Sequence, residues 1–196
     1  MKIIVYGGTN NQHYSEKEMQ QCRKLGKYLA DIGSEVLTGA CWGFPYFVGK
    51  AAVEAGGTVI GYTPAENKTE HIERYKFPMD GVSEMSYAKK SSSMTESFLK
   101  RSWDMTPFSD VMIALGGSWG TYFEIMLSFF YKKTIILVSE FGGAAEAFDN
   151  THKFFDERPV NPEVHRGSTI IRVKTIDDAI ASVEEIRSKY CYSASN

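Results

Sequence analysis

Short β-branched runs alternate along this chain with longer stretches in which apolar residues recur every three or four positions. Lys2 to Tyr6 is a β-branched run that ends in Gly7, Gly8, Thr9 and Asn10, which reads as a strand closed by a tight polar turn. Ser15 and Glu18 have the spacing of a capping box. Met19, Cys22, Leu25, Leu29 and Ile32 follow at helical spacing and stop at Gly33, predicting an amphipathic helix. Glu35 to Thr38 predicts a second strand, followed by Gly39, Ala40, Cys41, Trp42 and Gly43. A second helix is expected from about Tyr46 to Ala55, ending at Gly56-Gly57, and a third strand from Thr58 to Tyr62. Strands alternating with helices of this length imply an α/β fold: a Rossmann-like, doubly wound parallel sheet of about six to seven strands with helices on both faces.

The polar stretch AENKTEHIERYK, from residue 65, predicts a loop or short helix, and Val82 to Tyr87 a fourth strand. A helix is expected from Met94 to Met105, stopped near Pro107, and it carries Lys100 and Arg101. Asp110 to Lys133 then gives an apolar strand, Val111 to Leu115, a glycine turn, Gly116 to Thr121, and a nearly all-apolar helix, Tyr122 to Tyr131, with one charge, Glu124. Thr134 to Val138 and Thr169 to Val173 predict further strands, Ala144 to Phe155 a helix, and Ile176, Ala179, Ile180, Val183 and Ile186 the buried face of a last helix. The polar connection from Asp156 to Ser168 is a candidate flap over a site. With no repeat or linker, residues 1–190 read as one domain and 191–196 as a frayed tail.

Composition narrows the functional classes. Of 196 residues, 43% are apolar and 23% charged, as in an ordinary soluble globular protein. The formal net charge of −2 gives no general attraction to nucleic acid or to an acidic membrane, so neither is expected as a partner. No apolar run approaches a membrane span, and the opening MKIIVYGG reads better as a strand than as a signal peptide. The cysteines, Cys22, Cys41 and Cys191, are odd in number and widely spaced, which suits reduced thiols in a cytoplasm.

In a parallel sheet, ligands sit beyond the carboxyl ends of the strands. Three glycine turns fall there: Gly7-Gly8-Thr9, Gly39 to Gly43, and Gly116 to Thr121. Together they favour a nucleotide or sugar-phosphate pocket, with Gly7, Gly8, Thr9, Gly39, Gly43, Gly117, Ser118, Gly120 and Thr121 as its phosphate- and nucleotide-binding residues. None of the turns is a GxGxxG fingerprint or a GxxxxGK[ST] P-loop. Glu124 sits at the start of a helix that offers no clear polar face, so it is expected to face a pocket. Arg101, on position alone, reads as half of a surface basic pair. The histidines His13, His71, His152 and His165 show no metal spacing, and no metal site is expected.

GGSWGTYFE at 116–124 resembles the PGGxGTxxE signature of LOG-type proteins. These include the cytokinin-activating nucleoside 5′-monophosphate phosphoribohydrolases, long mislabelled as lysine decarboxylases, and the related molybdenum-cofactor carrier proteins. The resemblance covers most of the chain: Gly7-Gly8, LTGACWGFPY at 37–46 and AGGTVIGYTP at 55–64 fall where the family has its glycine turns and third strand. It places the family's functional arginine at Arg101, opposite Glu124 across the pocket, and makes both catalytic candidates. Departures point to the carrier-like branch. Pro-Gly-Gly reads Gly116-Gly117-Ser118, and Met-His-Glu-Arg-Lys reads Phe98-Leu99-Lys100-Arg101-Ser102. The resemblance implies a homodimer that uses no cofactor. No lysine is marked for the pyridoxal phosphate that a decarboxylase usually needs. The first reading is an enzyme that hydrolyses the N-glycosidic bond of a nucleoside 5′-monophosphate, freeing the base and ribose 5-phosphate; the alternative is a carrier or sensor of a nucleotide-like ligand without turnover.

Overall fold

The computed structural model describes residues 1–8, 14–156 and 168–193. Seven parallel strands form one sheet: β1 (Lys2–Gly7), β2 (Glu35–Thr38), β3 (Val59–Thr63), β4 (Glu84–Tyr87), β5 (Val111–Leu115), β6 (Thr134–Val138) and β7 (Thr169–Val173). Their order across the sheet is β4-β3-β2-β1-β5-β6-β7. The chain winds outward from β1 to one edge, returns to the middle at β5, and winds to the other edge. The two halves meet where β1 pairs with β5, Ile3 beside Val111 and Gly7 beside Leu115. That crossing is the topological switch point, where a crevice opens beyond the strand ends.

Among the described residues the α-helices are α1 (Glu16–Asp31), α2 (Phe44–Glu54), α3 (Met94–Met105), α4 (Trp119–Phe130), α5 (Gly143–Asp156) and α6 (Ile176–Ser193). Alternation along the strands sorts them into two layers. Ile3, Val5, Val111 and Ile113 pack with Leu25, Val48 and Val183 of α1, α2 and α6. Ile4, Tyr6, Met112 and Ala114 pack with Met105, Ile125 and Phe148 of α3, α4 and α5. Every residue of β5 is buried, as a strand covered on both faces requires.

The local signals act as read. Ser15 and Glu18 close a reciprocal capping box at α1, and Thr175 accepts the Asp178 N–H ahead of α6. The expected bounds of α3, β5, β6 and β7 coincide with the observed ones. Other bounds differ: α4 starts at Trp119 rather than Tyr122, so the glycine turn is shorter than expected, β3 starts at Val59 and β4 at Glu84. Gly43 begins α2 two residues early, since Phe44 and Pro45 suit a first turn. The polar stretch after β3 holds one wide helical turn, Glu70–Arg74, within the expected loop or short helix. Helix α6 runs on to Ser193, past the residue where a tail is expected to begin. The candidate flap and Thr9 lie outside the described residues, apart from the flap's ends. No helix among the described residues is long and apolar enough to cross a membrane.

Candidate functional site

The β5–α4 turn stands at the switch point. Gly117 has φ +91°, and a Cβ there would lie 2.1 Å from Thr121 Oγ1, so only glycine fits. Thr121 is fixed in turn, its hydroxyl donating to the Gly7 carbonyl at 3.2 Å. The Gly8 N–H donates to the Leu115 carbonyl at 3.0 Å, and the Gly117 carbonyl accepts from Ala144 N–H at 2.9 Å. The first and third glycine turns and the start of α5 are thereby tied into one corner. Helix α4 begins there without a side-chain cap from Ser118. Its first turn, Ser118 to Gly120, is exposed, and the first N–H groups of a helix have no partner within it, the arrangement that suits an anion.

The second glycine turn has a different neighbour. A Cβ at Gly39 would sit 2.8 Å from Arg101 Nη1, and the Gly39 carbonyl accepts from that nitrogen at 3.3 Å. Gly39 is therefore packed on the arginine, while Gly43 caps α2 with its carbonyl, which accepts from Tyr46 N–H at 3.0 Å.

Arg101 is not a surface residue. It is 8% exposed and Glu124 is 6% exposed, and Arg101 Nη2 lies 3.0 Å from Glu124 Oε1. Ser102 Oγ donates to the same oxygen at 2.8 Å. Arg101 Nη1 also approaches Cys41 Sγ at 3.8 Å, and the guanidinium lies over the Phe98 ring at 5.3 Å. Its Nε has no hydrogen-bond partner among the described residues. Glu124 falls in the second turn of α4, which starts at Trp119, rather than in the first. The N-terminal dipole thus gives it less help than the sequence suggests, and the arginine supplies the countercharge.

Burial holds the Glu124 carboxyl above the usual carboxylate range, against the pull of Arg101 and Ser102. Burial also weighs against the Arg101 charge, yet its partners, Glu124 among them, leave its pKa raised. Burial pushes the Cys41 thiol up despite the guanidinium, so it is a neutral neighbour and no thiolate nucleophile. Beneath the pair, the Tyr6 hydroxyl meets Thr106 Oγ1 at 2.8 Å, and Thr106 donates to the Ser102 carbonyl at 2.7 Å.

Ser102, Cys41, Tyr6 and Thr106 were not anticipated as parts of this network. Ser102 carried one signal, since it departs from the family motif beside Arg101. Cys41 lies inside the second glycine turn, already expected at the pocket, and Tyr6 and Thr106 join the site only through the crossing of α3 with the sheet. Among the described residues no three His, Cys, Asp or Glu side chains are grouped to hold a metal.

Known structures share this architecture. The structural-genomics protein TM1055 is 25% identical, with a TM-score of 0.76 over 94% of this chain and 98% of that one. The molybdenum cofactor carrier protein of Chlamydomonas reinhardtii is 25% identical, with a TM-score of 0.67 over 95% and 98%. DNA processing protein A of Helicobacter pylori, known for its mode of binding single-stranded DNA, is 15% identical, with a TM-score of 0.63 over 94% and 80%. No curated protein sequence matches the chain. The Helicobacter likeness overturns the exclusion of nucleic acid drawn from net charge. A formal charge of −2 sums the whole surface and says nothing about the potential at one crevice, and a protein of this fold binds single-stranded DNA. The likeness to LOG-type proteins read from GGSWGTYFE is upheld, with carrier proteins among the neighbours. Residues 1–180 match the SLOG cluster4 family, and the chain belongs to that family.

Proposed function

We propose that this protein binds a phosphate-bearing, nucleotide-like small molecule and holds it without turnover, as a carrier or sensor. The observation that carries the reading is the exposed start of α4 at the switch point, which no side chain caps and which Gly117 makes possible with its positive φ. The phosphate sits on Ser118, Gly120 and Thr121, and Gly7 and Gly8 form the floor of the seat. The absence of turnover is favoured by the state of Glu124. Its Oε1 accepts from both Arg101 and Ser102. A carboxylate matched to a cation in this way has less charge to offer a sugar that becomes positive as its glycosidic bond breaks.

The second reading is phosphoribohydrolase action, in which water cleaves the base from the sugar and leaves ribose 5-phosphate. It is favoured by the pairing of Arg101 with Glu124 at the two signature positions. Incubation with a panel of nucleoside 5′-monophosphates separates the two. The expected result is binding by calorimetry, or a nucleotide-like ligand released on denaturation and seen by mass spectrometry, with no free base formed. Base release that disappears in Glu124→Gln would establish the hydrolase instead, and no binding at all would remove both readings.

A second copy of the chain is the partner proposed for the outer face of α3 and α4. Trp103, Phe123, Met126, Leu127, Phe130 and Tyr131 line a groove of about 510 Å³ there. Trp103 and Phe130 are 56% and 49% exposed. One patch thus offers both a groove and the ridges to fill it, which an isologous contact needs. Wild-type protein is expected to run in light scattering at twice the mass of one chain. The variant carrying Trp103→Glu and Phe130→Glu is expected at the mass of one. A dimer that survives both changes uses another surface.

A further inference from the structure

Between α4 and α5 lies a cavity of about 350 Å³, lined by Ser118, Trp119, Tyr122, Ala144, Ala147 and Thr151. We infer that this slot takes a flat, uncharged heteroaromatic ring, stacked on Trp119, belonging to the same ligand whose phosphate sits at the start of α4. The inference rests on the phosphate seat proposed above and adds the class of group attached to it.

Four observations converge. First, Trp119 is 87% exposed. It is the first residue of α4, so the largest apolar side chain available stands in water beside the turn. An indole held there gains by covering its face, and a base-like ring covers it well. Second, the opposite wall is small. Ala144 and Ala147, one turn apart on α5, leave depth that larger side chains would fill. Third, the aromatic wall is held from behind. Tyr122 packs edge-on against Trp119, ring centroids 6.4 Å apart, and against the buried Phe148 at 5.7 Å. Fourth, none of the six lining residues is charged, so the slot offers no ion-pair partner to an ammonium or a carboxylate.

Polar atoms mark its two ends. Ser118 stands at the turn. Thr151 donates its hydroxyl proton to the Ala147 carbonyl at 2.9 Å, which leaves its oxygen to accept from a ring N–H. Sites for whole drug-sized ligands begin at roughly 300 Å³. A slot of about 350 Å³ therefore has ample room for the ring, with sugar and phosphate lying outward over Ser118 and Gly120.

The test compares ribose 5-phosphate with nucleoside 5′-monophosphates by calorimetry, on wild type, Trp119→Ala, Trp119→Phe and Ala147→Leu. At least one nucleotide is expected to bind wild type about tenfold or more tighter than ribose 5-phosphate. Trp119→Ala and Ala147→Leu should abolish that margin and leave ribose 5-phosphate affinity unchanged, which also shows that the variants are folded. Trp119→Phe should keep most of the margin. A margin that survives Trp119→Ala overturns the slot, as does a wild type that binds ribose 5-phosphate with no preference for any nucleotide. If ribose 5-phosphate fails to bind wild type while a nucleotide binds with Trp119 dependence, the slot stands and the phosphate seat falls.

Discussion

Arg101→Met is expected to cost about 3–5 kcal/mol of stability, because it leaves the Glu124 carboxylate buried without its countercharge. For a chain of this length each kcal/mol is worth roughly 2–4 °C, so the melting temperature should fall on the order of 10 °C at neutral pH. The loss should shrink on acidification. Burial already raises the Glu124 carboxyl in the folded protein, and removing Arg101 raises it further. A carboxyl whose folded pKa lies above its unfolded one takes up a proton on folding. Its favourable contribution is complete below the unfolded value and is lost as the pH climbs through the folded one. The variant should therefore gain melting temperature relative to wild type as the pH falls from neutral towards the ordinary glutamate range. Adding Glu124→Leu should recover most of the loss at neutral pH, since an apolar pair in place of a buried ion pair is often neutral or stabilising. Thermal denaturation of the three proteins across pH measures all of this. A single variant that melts with wild type at neutral pH would mean that the pair is not buried as described. A fully recovered double variant would mean that the ion pair serves what the protein binds and not the fold.

The second large effect is on ligand binding. Gly117→Ala should weaken ribose 5-phosphate by about tenfold or more, with a smaller loss of stability. The new Cβ would lie 2.1 Å from Thr121 Oγ1 and 2.5 Å from Thr121 Cβ. Thr121 cannot swing aside without giving up its bond to the Gly7 carbonyl. The turn must move, and the N–H groups at the start of α4 move with it. Positive φ alone also penalises alanine, by about 1–3 kcal/mol where the surroundings enforce it. Gly142→Ala separates the two effects. Gly142 has φ +60° but open space where a Cβ would go. That variant should lose stability and keep its affinity for ribose 5-phosphate. Equal binding by Gly117→Ala and wild type in calorimetry would take the phosphate away from this turn.

Much of this architecture was legible because its signals are local. The strand from Val111 to Leu115, the helix from Met94 to Met105 and the capping box at Ser15 each depend on a few neighbouring residues. The opposition of Arg101 and Glu124 came from the family signature, since a Lys-Arg pair alone reads as solvated surface. Ser102 stands out in the sequence only as a departure from the family motif; its role as a donor needs α4 to cross α3 and give it Glu124 to bind. Gly39 shows the converse. Its absent side chain was read as room for a ligand, and the structure fills that room with the Arg101 guanidinium. A glycine records that something comes close, but not whether the visitor is a ligand or another part of the chain.

The sheet order sets when such a site can exist during folding. Strands β1 to β4 lie in sequence order on one side, so pairings among them close short loops. The join between β1 and β5 sets Ile3 beside Val111, and the Asp110 carboxylate accepts the Lys2 N–H at 2.7 Å. Contacts so far apart along the chain close longer loops than those among β1 to β4 and are expected to form after them. Arg101 and Gly39 come from the segment before that join, and Glu124 and Gly117 from the segment after it. The crevice is thus absent from any intermediate built from either half alone, and a chain emerging from the ribosome acquires it only after β5 has docked.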